Sequence, residues 1–486
     1  MSDKPVVPEY DYEEPEEQDE NEEVELVQGW HKLHKPIDQG EDERGPYDVI
    51  PLAMLRGGEA EPFKVHKKPM KHIIVDQSIP PRGWYKAKVE RTKRIRPRPC
   101  YTEALLTSPY GGFCPVGCSF CYINNGSRGY RSTGLPTVDL NYPDKFRNQL
   151  AKMRISGAAY MTSFSEPFHY LESTYHITQR LTEMFVEDGL PIFYCTRHNP
   201  PDWAVEALLQ NPYSYIQWSV NTSNARDYKK MSPGAANLHD IFDKVQDLSE
   251  LGIYTSFQCN PIQAGITTLD ELLDLVGIAG EIGLDHMIFK FAEQVFNARD
   301  IIIDRLRQRR FDTERINEFD SMLNQVIGGV YTIQEDVRIE WLDALLDATR
   351  EAGVSMSTCY EYYDDGKAGA NLAPFYTTSD QCHGRGVPVH FRPELGEPFQ
   401  PLAGCYRKGC LYCADYGTEA CNNEILLNAQ ALQYSDLRKI QLKSNDDDWS
   451  MQDSCARPED AQYEKAVNPE WKTDAEIWDW ELEEDD

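Results

Sequence analysis

Three cysteines stand within eight residues, in the run Cys114-Pro-Val-Gly-Cys118-Ser-Phe-Cys121. Intervals of three and two residues let all three thiols turn toward one side of a loop. Three thiolates suit a cubane iron–sulfur cluster that keeps one iron open to an outside ligand, whereas a fully ligated cluster takes four cysteines. Structural zinc also takes four ligands as a rule, so a zinc loop is the competing reading. A second set, Cys405, Cys410, Cys413 and Cys421, places four thiols in 17 residues, with Cys359 and Cys382 upstream. Gly404, Tyr406, Gly409 and Tyr412 interleave it and let backbone approach and cover a metal centre. Spacing does not say which four of these six thiols ligate, and zinc fits them as well as iron–sulfur does.

The 13 cysteines of this 486-residue chain argue against a disulfide scaffold if the compartment is reducing. The opening MSDKPVVPEYDYEEPEEQ lacks the basic and apolar regions of a secretory signal. No apolar run approaches the ~20 residues of a membrane helix. A cytoplasmic protein is expected (host cytoplasm if the chain is viral). Its net charge of −31 sits mainly at the ends, with −11 in residues 1–25 and −13 in residues 445–486, leaving −7 for the rest. Between Lys64 and Arg98 the sign reverses, with 12 Lys and Arg against Asp76 and Glu90. A near-neutral body with a basic segment is compatible with nucleic acid. Pairing of those bases with the acidic ends is the plainer alternative.

The elements that must position the cysteines alternate. Short apolar runs at 158–164, 191–197, 215–221, 253–261 and 286–293 read as buried strands. Between them, residues 174–189, 238–252 and 269–283 carry helical periodicity, the first ending at Gly189. This order predicts an α/β chain with a parallel sheet, a full or partial (β/α) TIM-type barrel whose chemistry sits at the C-terminal strand ends. Ser165, Glu166, Thr196, Arg197, Ser219, Asn221, Asn260 and Glu293 close these runs. Helices are expected at 313–327 and 335–352. The division reads as an acidic disordered tail (1–27), a basic N-terminal extension (28–99) and the barrel (100–355). A Cys-rich, loop-dominated metal-binding region (356–425) and an acidic Trp-containing tail (426–486) follow.

CPVGCSFCY, with Phe120 before the third cysteine, matches the C-x3-C-x2-C signature of the radical SAM superfamily, and the chain resembles that superfamily. The resemblance implies that Cys114, Cys118 and Cys121 bind a [4Fe–4S] cluster whose open iron chelates S-adenosylmethionine, with Phe120 among the cofactor-contacting residues. Reductive cleavage then gives a 5′-deoxyadenosyl radical that takes a hydrogen atom from substrate, the cofactor doing the difficult chemistry. Thr162-Ser-Phe-Ser-Glu-Pro167 resembles the family's Gly-Gly-Glu-Pro segment, which holds the methionine amino group. Its glycines are absent here, and Ser163, Ser165 and Glu166 become the candidates. Ser219 and Asn221 fall where the family often binds the ribose, and Pro261–Ile266 resembles the segment packed on adenine. An ordinary cap or turn is the alternative at each. Auxiliary Cys-rich domains recur after such barrels. By that analogy a second [4Fe–4S] cluster is the preferred reading of Cys405, Cys410, Cys413 and Cys421, with zinc the alternative. Cys359 is a candidate ligand or thiol hydrogen donor.

Within the superfamily, residues 100–293 resemble the spore photoproduct lyase and DNA-repair-photolyase-like branch. The carriers are SEPFHYLEST, GLPIFYCTRHNP, QWSVNTSNARDYKKMSP and LGIYTSFQCNPI, with Glu172 and the Thr196–Arg197 turn. The branch implies DNA carrying a thymine or modified thymine as partner, flipped out for reaction. Rearrangement of a substituent on the thymine methyl carbon, of the kind bacteriophages use in hypermodification, is favoured over lesion reversal. The resemblance also implies an electron donor such as flavodoxin or ferredoxin. A peptide- or small-molecule-modifying enzyme is the alternative, for which a small winged module before the barrel would speak. A non-catalytic iron–sulfur protein is the third.

Overall fold

The structure is a computed structural model that describes residues 36–52, 61–75, 84–85, 105–121, 135–151, 155–162, 165–294, 299–327, 330–359, 361–363, 370–379, 382–388, 390–392 and 394–401. Its centre is a sheet of seven parallel strands: β1 (Leu105–Thr107), β2 (Ala159–Met161), β3 (Ile192–Thr196), β4 (Tyr215–Trp218), β5 (Tyr254–Ile262), β6 (His286–Phe291) and β7 (Ser355–Thr358). Each pairs with the next in chain order. Trp84–Tyr85 adds an antiparallel strand outside β1. Neighbours in chain order are the arrangement of a β/α barrel rather than of a doubly wound sheet. Among the described residues β7 does not pair back to the other edge, so the sheet stays open.

The crossovers carry helices α1 (Tyr142–Leu150), α2 (Ile177–Glu187), α3 (Asp202–Gln210), α4 (Ala225–Met231), α5 (Leu238–Glu250), α6 (Leu269–Glu281), α7 (Arg299–Gln308), α8 (Thr313–Met322) and α9 (Glu335–Ala352). Side chains alternate along a strand. Met161, Tyr194, Trp218, Phe257, Phe289 and Met356 point out into one core shared with the helices. Tyr160, Phe193 and Tyr215 point inward and stack at centroid distances of 4.3 Å. Residues 382–388 cross that inner face near the strand starts. Cys382 O there accepts from His286 Nε2 at 3.1 Å and Ser357 Oγ at 2.7 Å. Only glycine fits at Gly384 (φ 77°), where a Cβ would lie 2.2 Å from Tyr254 Oη and 2.4 Å from His286 Cγ.

Several expectations are corrected. The helix expected from 174 breaks at His176 (φ 51°) into Glu172–Tyr175 and α2. The helix expected over 313–327 stops at Met322, and Gln325–Ile327 pairs with Val330–Thr332 instead. Its β-branched Val326–Ile327 pair precedes Gly328–Gly329 in sequence and favours a strand. β7 carries the parallel sheet beyond the boundary set at 355. The basic extension contains a sheet: Asp38–Asp42, Gly45–Leu52, Glu61–His66 and His72–Ile74 are antiparallel around Ile50, Val65 and Ile73. Ile73 and Ile74 pair with Pro136–Val138, which pairs with Gly111–Gly112 just ahead of Cys114. His72 Nε2, 2.5 Å from Tyr175 Oη, joins this sheet to the parallel-sheet unit. No helix among the described residues is long and apolar enough to cross a membrane.

Candidate metal and cofactor site

The cysteine run follows β1 as two tight turns, Gly117 N–H donating to Cys114 O and Cys121 N–H to Cys118 O, each at 3.2 Å. Each interval between cysteines therefore closes one turn. The loop is clamped to the end of α4. Ser119 N–H donates to Met231 O and Gly234 N–H to Val116 O, both at 2.9 Å. A Cβ at Gly234 would stand 2.4 Å from Pro115 O, so the clamp needs glycine. Ser232 Oγ lies 3.3 Å from Cys118 Sγ.

All three thiols are half-buried and none is in a disulfide. Burial pushes the Cys114 thiol up, with Cys118, Glu166 and Cys121 adding to it through their charge. As thiolates these cysteines need cations, and three arginines stand within electrostatic reach of Cys118. Arg309 Nη2 donates to Gly117 O at 3.2 Å, and Arg305 stands one helical turn before it on the same face. Burial pushes both guanidinium groups down while Cys118 pulls them back. Arg197, buried, lies 5.1 Å above the Phe120 ring and donates to Ser219 O at 2.7 Å. Among the described residues no three His, Cys, Asp or Glu side chains surround a single ion. A cubane spreads its ligands around a volume rather than a point, and the three-thiol, three-guanidinium set fits it.

The strand ends meet this loop. Glu166 is buried and its carboxylate accepts from Thr196 Oγ1 (2.5 Å), Arg197 N–H (2.8 Å) and Phe168 N–H (3.1 Å). It ties the segment after β2 to the end of β3. Asn221 Nδ2 donates to Pro261 O at 3.1 Å across the ends of β4 and β5. Among the described residues, Ser165 Oγ, Asn221 Oδ1 and both amide atoms of Gln263 are buried without a hydrogen-bond partner. Orphaned polar atoms cost free energy unless something polar meets them. A ribose, a purine and an amino-acid head are such groups, so these residues fit S-adenosylmethionine.

Ser219 presents its carbonyl to Arg197 and its Oγ 4.0 Å from Cys195 Sγ. Glu172 accepts from Tyr110 Oη, Thr178 N–H (2.9 Å) and Gln179 N–H (2.8 Å), which makes it the cap of α2. Cys359 N–H donates to Phe289 O at 3.1 Å, extending β7. Alternation then puts Ser355, Ser357 and Cys359 on the inner face, with Cys359 at the rim. Cys382 stands toward the other end, beside His286, and Cys259 is in the outer core. Ser163, Cys405, Cys410, Cys413 and Cys421 lie outside the described residues. Sequence reading did not single out Arg305 or Arg309, and it took Gln263 only as part of the Pro261–Ile266 segment. Only the Arg-Leu-Arg-Gln-Arg-Arg run at 305–310 carried a signal for the first two.

No protein-family model matches the chain. It is 40% identical over 426 residues to a Radical SAM Nalpha-GlyT isomerase of Pseudomonas phage M6, spanning 83% of this chain and 88% of that one. Among solved structures it is similar to a spore photoproduct lyase mutant with bound AdoMet and dinucleoside spore photoproduct. That match has a TM-score of 0.41 and 15% identity, over 54% of this chain and 78% of that one. SuiB of Streptococcus suis bound to S-adenosylmethionine matches with a TM-score of 0.33 and 13% identity, over 51% and 48%.

Proposed function

This chain belongs to the radical SAM family of the phage isomerase, and we propose that it isomerises a glycine-substituted thymine in DNA. The 40% identity across four-fifths of the chain carries the reading. When bound, the [4Fe–4S] cluster and S-adenosylmethionine supply a carbon radical able to take an unactivated hydrogen atom. Cys114, Cys118 and Cys121 would hold the cluster, with Arg197, Arg305 and Arg309 balancing its charge. Ser165, Asn221 and Gln263 would orient the nucleoside and amino-acid parts of the methionine cofactor. An isomerisation keeps every atom. The hydrogen leaves the glycyl carbon, the thymine methyl carbon moves from nitrogen to that carbon, and a hydrogen atom returns to nitrogen. Cys359, inner-facing at the rim, would give that hydrogen atom, and an electron from the external donor with a proton would restore its thiol.

The four cysteines at 405–421 we assign to a second cluster, zinc being the alternative. An electron donor of the flavodoxin or ferredoxin type would reduce the first cluster. A phage origin like that of the relative would put its action in the cytoplasm of an infected cell. A peptide substrate is the second reading, favoured by the N-terminal antiparallel sheet, whose outer strand Asp38–Asp42 presents an edge. The test uses enzyme reconstituted without oxygen, an oligonucleotide bearing N-linked glycyl thymine, and chromatography of the digested nucleosides. The expected outcome is a new nucleoside of unchanged mass. Unaltered nucleosides alongside vigorous 5′-deoxyadenosine formation would contradict the reading.

A further inference from the structure

Lys67-Lys68-Pro69-Met70-Lys71 carries the chain from Glu61–His66 to His72–Ile74 in the N-terminal sheet. Lysines on a turn are ordinarily plain solvated surface, and two features set this turn apart. The first is its charge. Asp42 and Asp48 in the same sheet are taken up by His66, Lys64 and Lys67, the last at 2.7 Å. Lys68 and Lys71 stay exposed, and among the described residues no carboxylate pairs with either. The second is its seat. Met70 packs against the core of the parallel-sheet unit, and His72, next to Lys71, meets Tyr175 Oη. The two free lysines are thereby held beside the helical turn Glu172–Tyr175.

Just ahead of that turn, Tyr170 is 66% exposed, and among the described residues no large hydrophobic side chain is more exposed. Its backbone is fixed: Leu171 N–H donates to His169 Nδ1 at 3.2 Å and Ser173 Oγ to Tyr170 O at 2.8 Å. His169 in turn stands 4.2 Å, ring to ring, from Tyr110, four residues before Cys114. An aromatic side chain mounted on a tied backbone loses little freedom when it stacks. Uncompensated lysines and an open ring together match a single strand of nucleic acid, which offers a phosphate and a π-face at every nucleotide. A base drawn into the site also leaves its neighbour unstacked. We propose that Lys68, Lys71 and Tyr170 form a docking surface for single-stranded DNA. The lysines meet phosphates, and the ring stacks on a base flanking the one that reacts. The inference rests on the proposed DNA substrate and adds where the strand lies.

The experiment measures equilibrium binding of the full chain to a labelled oligothymidylate, by fluorescence anisotropy, across a salt series. All three side chains are exposed, so their replacement should leave the circular dichroism unaltered. With Lys68→Gln and Lys71→Gln combined, affinity should fall at low salt, and the plot of log affinity against log salt should flatten by about 0.7 per lysine. Tyr170→Ala should weaken binding about five-fold or more with the slope unchanged, as expected for one lost stacking contact. Tyr170→Phe keeps the ring and should keep the affinity. An unchanged slope in the lysine variant overturns the surface and leaves the turn to the chain's own acidic ends. Unchanged affinity in Tyr170→Ala, or an equal loss in Tyr170→Phe, overturns the stacking role. Each of these results leaves the substrate reading standing. Failure of the unaltered chain to bind the oligonucleotide at any salt contradicts the surface and the DNA reading together.

Discussion

Glu166 shows what one buried carboxylate can hold. Its three donors come from the segment after β2 and from the end of β3, so it fixes two of the strand ends around the cysteine loop. Glu166→Gln replaces one acceptor oxygen by a donor facing another donor. It should cost about 1–3 kcal/mol in urea unfolding and lower 5′-deoxyadenosine formation. Unchanged stability would contradict the bridging role. The cysteines act by chemistry instead. Cys114→Ala, Cys118→Ala and Cys121→Ala should each abolish S-adenosylmethionine cleavage while far-UV circular dichroism stays unaltered, and full activity in any one would sink the cluster assignment. Spacing made the three thiols legible, because ligand geometry is local. Gln263 was legible only as part of the Pro261–Ile266 segment, since the surroundings of a buried amide are set by neighbours from other strands.

At the level of elements, the β/α alternation was readable because buried parallel strands and amphipathic helices have different periods. β7 was missed. Its four residues, Ser-Met-Ser-Thr, carry little apolar signal, and pairing with β6 rather than propensity makes them a strand. The clamp between α4 and the cysteine loop is likewise a close approach with no sequence period. Gly234→Ala should displace the loop and reduce the iron taken up on reconstitution, with secondary structure retained; full iron uptake would show that the loop tolerates the added methyl. The segment 382–388 is fastened through His286, whose pKa burial pushes down to about 4. The folded form thus resists a proton that the unfolded chain accepts below about pH 6.5. Stability tied to His286 is complete above that pH and is lost as pH falls toward 4, by about 2 kcal/mol at pH 5. In urea titrations, His286→Asn should show a correspondingly shallower decline between pH 6.5 and 5. A parallel decline would mean that His286 titrates normally.

Across the whole molecule, charge is divided by sequence position. The acidic ends hold −24 of the net −31, and the 12 Lys and Arg between Lys64 and Arg98 stand apart from them. Like-charged ends repel phosphate at low ionic strength. Removing residues 1–25 and 446–486 should therefore strengthen DNA binding at low salt and matter less at high salt. Unchanged or weaker binding would show that the ends do not screen the basic segment. Composition alone gave residues 28–99 their reading as a basic N-terminal extension. Strand pairing among Gly45–Leu52, Glu61–His66 and His72–Ile74 was hidden there because register is non-local. That sheet reaches Gly111–Gly112, so the region of the chain before the parallel sheet helps to hold the cysteine loop.

The most direct test of the account follows one hydrogen atom. Reconstituted enzyme, reductant and S-adenosylmethionine are given an oligonucleotide whose N-linked glycyl thymine carries deuterium at the glycyl carbon, and the 5′-deoxyadenosine and recovered S-adenosylmethionine are analysed by mass spectrometry. Deuterium in either, together with an isomeric nucleoside, is the result the account predicts. Cleavage of S-adenosylmethionine with no deuterium transferred and no new nucleoside would contradict it.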